Sequence, residues 1–145
     1  ANGLKPKRAL VAAPGFAEYE QALSGAGCEL SFYELKEAQG FAYQEDYFQN
    51  ITEELDMVFL CNPNNPTGNT IPEQILTEIL QFCASKKIRV VADECFLRFH
   101  PHYEKMSCKR FLKQYRICSS STHLQSFMQW RDCGWGMDSA QAGSF

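Results

Sequence analysis

Three stretches of this chain hold side chains whose type and position could do chemistry. Asp93 closes the run Ile88-Arg89-Val90-Val91-Ala92, which is apolar apart from Arg89. A carboxylate there is costly to bury unless it meets a cation or several hydrogen-bond donors. It is read either as a turn or cap aspartate or as the partner of a positively charged ligand group. The loop Asn62-Pro63-Asn64-Asn65-Pro66-Thr67-Gly68 concentrates amide side chains between prolines. Its asparagines can bond their own backbone in a rigid turn, or they can donate to a ligand. Phe16 follows Pro14-Gly15 and is either a core ring at a helix start or an aromatic face for a planar ligand.

Other groupings point away from competing functions. His100 and His102 flank Pro101 with no evident third ligand, so a metal site is not expected there. The seven cysteines include no Cys-x-x-Cys pair and are odd in number. Scattered among apolar neighbours, as at Cys61 and Cys83, they read as small buried hydrophobes in a reducing, cytoplasmic compartment. A net charge of −3 argues against nucleic acid as the main partner. Lys105, Lys109, Arg110 and Lys113 are read as a solvated basic face. No apolar run approaches the roughly 20 residues of a membrane span, and the opening residues lack the apolar core of a secretory signal. With no initiating Met, the chain is read as beginning inside a longer protein.

The elements that must position these residues follow from periodicity. Ala9–Ala13 is a buried strand stopped by Pro14-Gly15, and Phe16–Ala26 is a helix with a stripe at Phe16, Tyr19, Leu23 and Ala26, closed by Gly27. Leu30–Leu35 alternates as a second strand, and Glu45–Glu54 is a short helix. Asp56–Cys61 is a continuous apolar strand, buried on both faces if its sheet is parallel. Thr70-Ile71-Pro72-Glu73 reads as a capping box opening a helix to about Ser85, with Lys86 and Lys87 at its negative end. Ile88–Ala92 is the next strand. Strands alternating with helices at these lengths predict an α/β fold with a mostly parallel sheet flanked by helices. Ligands of such sheets bind beyond the carboxyl ends of the strands. Pro14-Gly15-Phe16, the asparagine loop and Asp93 all lie at those ends, so one rim carries all three candidates.

Together these segments resemble the class I/II aminotransferases. The match is carried by Phe59-Leu60-Cys61-Asn62-Pro63-Asn64-Asn65-Pro66-Thr67-Gly68 and, about 25 residues on, by Val90-Val91-Ala92-Asp93-Glu94-Cys95-Phe96. The resemblance runs from about Leu4 to Tyr115 and implies a pyridoxal 5′-phosphate enzyme, with residues 1–115 a partial cofactor-binding large domain. It implies that Asp93 holds the proton of the cofactor's pyridine nitrogen, that Asn65 donates to the phenolic oxygen, and that Phe16 stacks on the ring. Within the family, Phe16-Ala17-Glu18-Tyr19-Glu20-Gln21-Ala22-Leu23 and Asp93-Glu94-Cys95-Phe96-Leu97 look most like threonine-phosphate decarboxylases of cobalamin synthesis, then histidinol-phosphate aminotransferases. Many members place a tyrosine where Phe96 stands, as a second donor to the phenolic oxygen, and Phe96 cannot make that bond. An amino acid or amino-acid phosphate substrate is implied, and full-length members act as homodimers.

The resemblance breaks after Tyr115. The family continues with an apolar strand, a Thr-Lys pair carrying the Schiff-base lysine, and a Gly-Leu-Arg-Leu-Gly-Tyr-like run. Here the chain reads Arg116-Ile117-Cys118-Ser119-Ser120-Ser121, and no lysine follows Lys113. Reading each tail codon from its third base into the next forces Ala at Met128–Gln129 and Leu at Asp132–Cys133. It likewise forces Gly at Trp135–Gly136 and Gly at Met137–Asp138. The remaining junctions allow Thr-Lys-Phe-Tyr-Ala-Met-Ala-Gly-Leu-Arg-Leu-Gly-Tyr-Gly, with the lysine spanning Gln125–Ser126. We infer that residues 116–145 are translated out of frame, and expect them to be poorly ordered. No catalytic residue is then assigned, because the lysine that would hold the cofactor covalently is absent; the family's upstream glycine-rich phosphate loop is missing too. The chain as written is expected to be inactive. A non-catalytic α/β small-molecule-binding module and a vestigial product without a ligand stand as the alternatives.

Overall fold

The computed structural model describes residues 6–115 and 117–120. Five strands are named in chain order: β1 (Arg8–Ala13), β2 (Glu29–Glu34), β3 (Met57–Cys61), β4 (Arg89–Asp93) and β5 (Ile117–Ser120). They form one sheet in the order β2-β1-β3-β4-β5, and every neighbouring pair is parallel. Continuous apolar sequence explains the middle of it, since all five residues of β3 are buried. β2 lies at an edge, and only Tyr33 of its residues is buried.

Successive residues of a strand face opposite sides, and the core is accordingly split in two. One face gathers Leu10, Val58, Leu60, Val90 and Ala92, and the other gathers Ala9, Val11, Phe59, Cys61 and Val91. Helix α1 (Ala17–Gly25) covers the second face with Tyr19 and Leu23. Helix α2 (Glu73–Ser85) covers the first with Leu76, Ile79, Leu80 and Cys83, beside Tyr43, Tyr47 and Ile51 from the segment before β3. Opposite faces follow from right-handed crossovers: the chain steps one way from β1 to β2 and the other way from β3 to β4. The connections leaving β1 and β3 therefore diverge, which opens a crevice between their carboxyl ends.

Several local expectations are corrected. No capping box forms at Thr70: α2 starts at Glu73, its N-cap is Pro72 with extended backbone, and no side chain caps it. A residue before proline is pushed out of the helical region, so Ile71 cannot begin a helix and the first turn waits until Pro72 has passed. The Glu73 carboxylate instead pairs with Arg110 at 2.8 Å. Residues Glu45–Asn50 form a 3₁₀ helix that stops before Glu54, because Ile51 turns extended. Lys86 is the C-cap of α2, but its ammonium reaches Glu53 at 3.4 Å and lies over the Phe82 ring. Gly27 does close α1, at φ +81°, where a side chain would be strained.

Of the segment expected to depart from the family, Ile117–Ser120 forms β5 against β4, from Val90↔Ile117 to Asp93↔Ser120. The expectation for the rest of the tail falls outside the described residues. Among these residues no helix is long and apolar enough to cross a membrane. No group of three potential metal ligands occurs among them either, at His100 and His102 or elsewhere.

Candidate functional site

Asp93 ends β4 directly beside Cys61, the last residue of β3, and is 5% exposed. Alternation along β4 turns its side chain to the face carrying Val91, Phe59 and α1. The carboxylate meets the donors that burial demands. Its Oδ1 accepts the Cys95 backbone N–H at 2.9 Å, and its Oδ2 accepts the Tyr19 hydroxyl. The Cys95 bond is that of an aspartate turn, as the first of the two sequence readings of Asp93 has it. The Cys95 thiol also hydrogen-bonds to this carboxylate; an ionised carboxylate offers about four acceptor sites, so these three bonds leave room for a further donor.

Tyr19 was legible from the sequence only as a core residue of the α1 stripe. Its ring packs on Phe59 at 4.4 Å and edge-on to Phe16 at 5.4 Å between centroids, while its hydroxyl lies 3.6 Å from Cys61 Sγ. Burial first, then Cys61 and Asp93, hold the phenol well above its ordinary titration range. It therefore stays protonated as a donor. Burial also pushes the Cys61 thiol up to about 11, against the lowering effect of the Tyr19 hydrogen bond. The usable signal was spacing: Tyr19 lies one helical turn from Phe16, and a buried tyrosine hydroxyl usually finds a partner.

The asparagine loop divides its labour. Asn62 is buried, with its Oδ1 accepting the Ile71 N–H at 2.9 Å. Asn64 is 3% exposed, and its amide donates to the Pro14 carbonyl at 3.1 Å and to Thr67 Oγ1 at 2.9 Å. That first bond ties the loop after β3 to the loop after β1, across the crevice. Asn65 is half-buried; its backbone N–H turns to Cys61, while its side-chain amide bonds to none of the described residues. Asn62 Nδ2 also lacks a partner among the described residues but is fully buried, so the half-buried Asn65 is the one whose uncommitted amide can meet a ligand at the surface.

Phe16 is the N-cap of α1 and is half-buried beside a cleft of about 10 Å³ shared with Val11, Gly15, Tyr19, Phe59 and Cys61. Room there suffices for about one water. Phe16, Asn65 and Asp93 thus stand along one wall at the carboxyl edge of the sheet, with Tyr19 and Cys61 between them. Gly15 lets this wall form: a Cβ on it would sit 2.5 Å from the Ala12 carbonyl oxygen. Phe96 is 52% exposed. A wider cleft of about 260 Å³ opens near Arg98, Tyr103 and Lys109, over the opposite core. Two of the charges there are committed: Glu94 accepts from Ser107 Oγ and the Cys108 N–H, both at 2.6 Å, and Arg110 is held by Glu73.

The family model described as aminotransferase class I and II matches residues 3–115. Over 102 residues the chain is 44% identical to a threonine-phosphate decarboxylase of Salmonella typhimurium, covering 70% of this chain and 28% of that protein. Over 94 residues it is 30% identical to a histidinol-phosphate aminotransferase of Methanopyrus kandleri, covering 64% of this chain and 23% of the relative. Among solved structures, the histidinol-phosphate aminotransferase of Clostridium acetobutylicum superposes with a TM-score of 0.70 at 25% identity. That alignment covers 88% of this chain and 37% of the other. The chain thus spans less than a third of the length of the two curated relatives.

Proposed function

Because the chain belongs to the class I and II aminotransferases, a family of pyridoxal phosphate enzymes acting on amino acids or amino-acid phosphates, we propose that its rim is one wall of a pyridoxal 5′-phosphate site. The observation that carries this is Asp93. A buried carboxylate at a strand's carboxyl end, held by the Tyr19 hydroxyl and by the Cys95 N–H and thiol with acceptor capacity left, fits a protonated ring nitrogen. The amide of Asn65 and the half-buried ring of Phe16 on the same rim fit the other contacts. When bound, the cofactor supplies an electron sink for charge developing on the substrate carbon. Asp93 keeps a proton on the ring nitrogen through a charge-assisted hydrogen bond. Asn65 donates to the phenolic oxygen, and Phe16 covers one ring face.

The activity of the whole protein is read as that of a threonine-phosphate decarboxylase-like enzyme acting on an amino-acid phosphate or amino acid. The 44% identity over most of the matched segment supports this reading. A histidinol-phosphate aminotransferase-like transaminase is the second reading, favoured by the 88% structural coverage. The whole protein is read as a cytoplasmic homodimer; the free thiols of Cys28, Cys61, Cys83, Cys95 and Cys108 accord with the first point. Residues 1–115 are the partial large domain and 116–145 the out-of-frame tail, a division supported by the family match ending at residue 115. With no lysine after Lys113, this chain holds the cofactor by contacts alone.

Equilibrium dialysis with pyridoxal 5′-phosphate tests the site. Saturable binding is expected, lost in Asp93→Ala and leaving no label at the tail after borohydride reduction. Absence of binding, or binding indifferent to Asp93→Ala, would remove the basis for the assignment.

A further inference from the structure

We propose that Tyr19 is a positioning residue for Asp93, its hydroxyl setting the carboxylate in the orientation that receives a pyridinium nitrogen. This rests on the reading of Asp93 as the ring-nitrogen partner. A carboxylate turns readily about its last torsion, whose profile is broad and roughly two-fold. One donor leaves it a hinge, whereas donors on both oxygens define its plane. Asp93 has a backbone donor on Oδ1, from Cys95, whose thiol also bonds to the carboxylate, and a side-chain donor on Oδ2, from Tyr19. The second is useful only if the phenol is itself immobile. Tyr19 is 8% exposed, lies against Phe59 and meets Phe16 edge-on, so neighbours restrain its ring on two sides. Cys61 Sγ, 3.6 Å from the hydroxyl, occupies a further side.

The same contacts join two functions in one side chain. Phe16, the ring offered to the cofactor face, touches the ring whose hydroxyl orients the carboxylate. Residues 16 and 19 belong to α1 and its cap, while Asp93 belongs to β4, with β3 and β1 between β4 and β2 in the sheet. Packing of α1 on that face is therefore what sets the angle of the carboxylate. A movement of α1 would disturb the stacking ring and the nitrogen contact together.

The test compares pyridoxal 5′-phosphate with its 1-deaza analogue, in which a C–H replaces the ring nitrogen, on the full chain and its variants. Tyr19→Phe removes the hydroxyl and keeps the ring. It is expected to weaken pyridoxal phosphate binding about tenfold, the scale of one hydrogen bond to a charged group, while the analogue's affinity stays within about twofold. The pH midpoint of the bound cofactor's absorption should move as well, which a packing defect alone would not cause. Tyr19→His returns a ring donor and should recover part of the preference for the nitrogen-containing ligand. If wild-type chain binds neither ligand, or Asp93→Asn leaves their ratio unchanged, the cofactor reading itself fails. If Asp93→Asn changes the ratio and Tyr19→Phe does not, or Tyr19→Phe weakens both ligands equally, the site stands and the role of Tyr19 is overturned. Loss of folding in both Tyr19 variants, seen by circular dichroism, would make the hydroxyl structural and overturn it too.

Discussion

Replacing Asn64 and Asn65 one at a time should separate a structural amide from a ligand-binding one in adjacent positions. Asn64→Ala removes two hydrogen bonds, to the Pro14 carbonyl and Thr67 Oγ1, from a residue 3% exposed. At about 1 kcal/mol each, plus the cost of acceptors left without that donor, the loss is about 2–3 kcal/mol. For a domain of this size that lowers Tm by roughly 8–12 °C. Asn65→Ala removes an amide that bonds to none of the described residues, so its cost should stay within about 0.5 kcal/mol, as for an ordinary surface change. Ligand binding should show the reverse ranking at a temperature where both variants are folded. Asn65→Ala should weaken pyridoxal phosphate about tenfold or more, the worth of a hydrogen bond to a charged oxygen. Thermal melts followed by circular dichroism, with equilibrium dialysis on the same samples, measure both. If the two variants melt together, or if Asn65→Ala binds the cofactor like wild type, the division of labour in this loop is wrong.

Gly15→Ala should destabilise the fold by about 1–3 kcal/mol, the usual range for overpacking, because its Cβ would stand 2.5 Å from the Ala12 carbonyl; a urea titration reads this directly. Glu94→Ala should cost at least about 3 kcal/mol, since Ser107 Oγ and the Cys108 N–H lose a buried, charged acceptor; Ser107→Ala should cost less, and equal effects would count against this account. Alkaline pH should unfold the chain through its buried thiols. Burial raises Cys61 from 9.0 to about 11 and Cys83 to about 12. A raised folded-state value means the contribution is complete below pH about 9 and is lost as pH climbs toward 11–12, at about 1.4 kcal/mol per group per pH unit. Urea midpoints between pH 8 and 11 check it, and a flat profile would contradict the burial of these thiols.

Much of the rim was legible along the chain. Apolar runs ending at Ala13, Cys61 and Asp93 locate three strand ends, and the rule that ligands meet parallel sheets at those ends places Phe16, Asn65 and Asp93 together before any coordinates. Side-chain spacing could not say which of the three loop asparagines is spent on structure. Asn64 is committed by a carbonyl 50 residues away in sequence, at Pro14. Nor could it find the hydroxyl on Asp93, which comes from Tyr19, 74 residues earlier. Such bonds depend on strand order and on which face each crossover helix covers. Periodicity records only that a residue faces inward, and what it faces is decided when the sheet is assembled. The start of α2 failed for the opposite reason. A local steric rule at Pro72 outweighed an equally local capping pattern, and the sequence carried both.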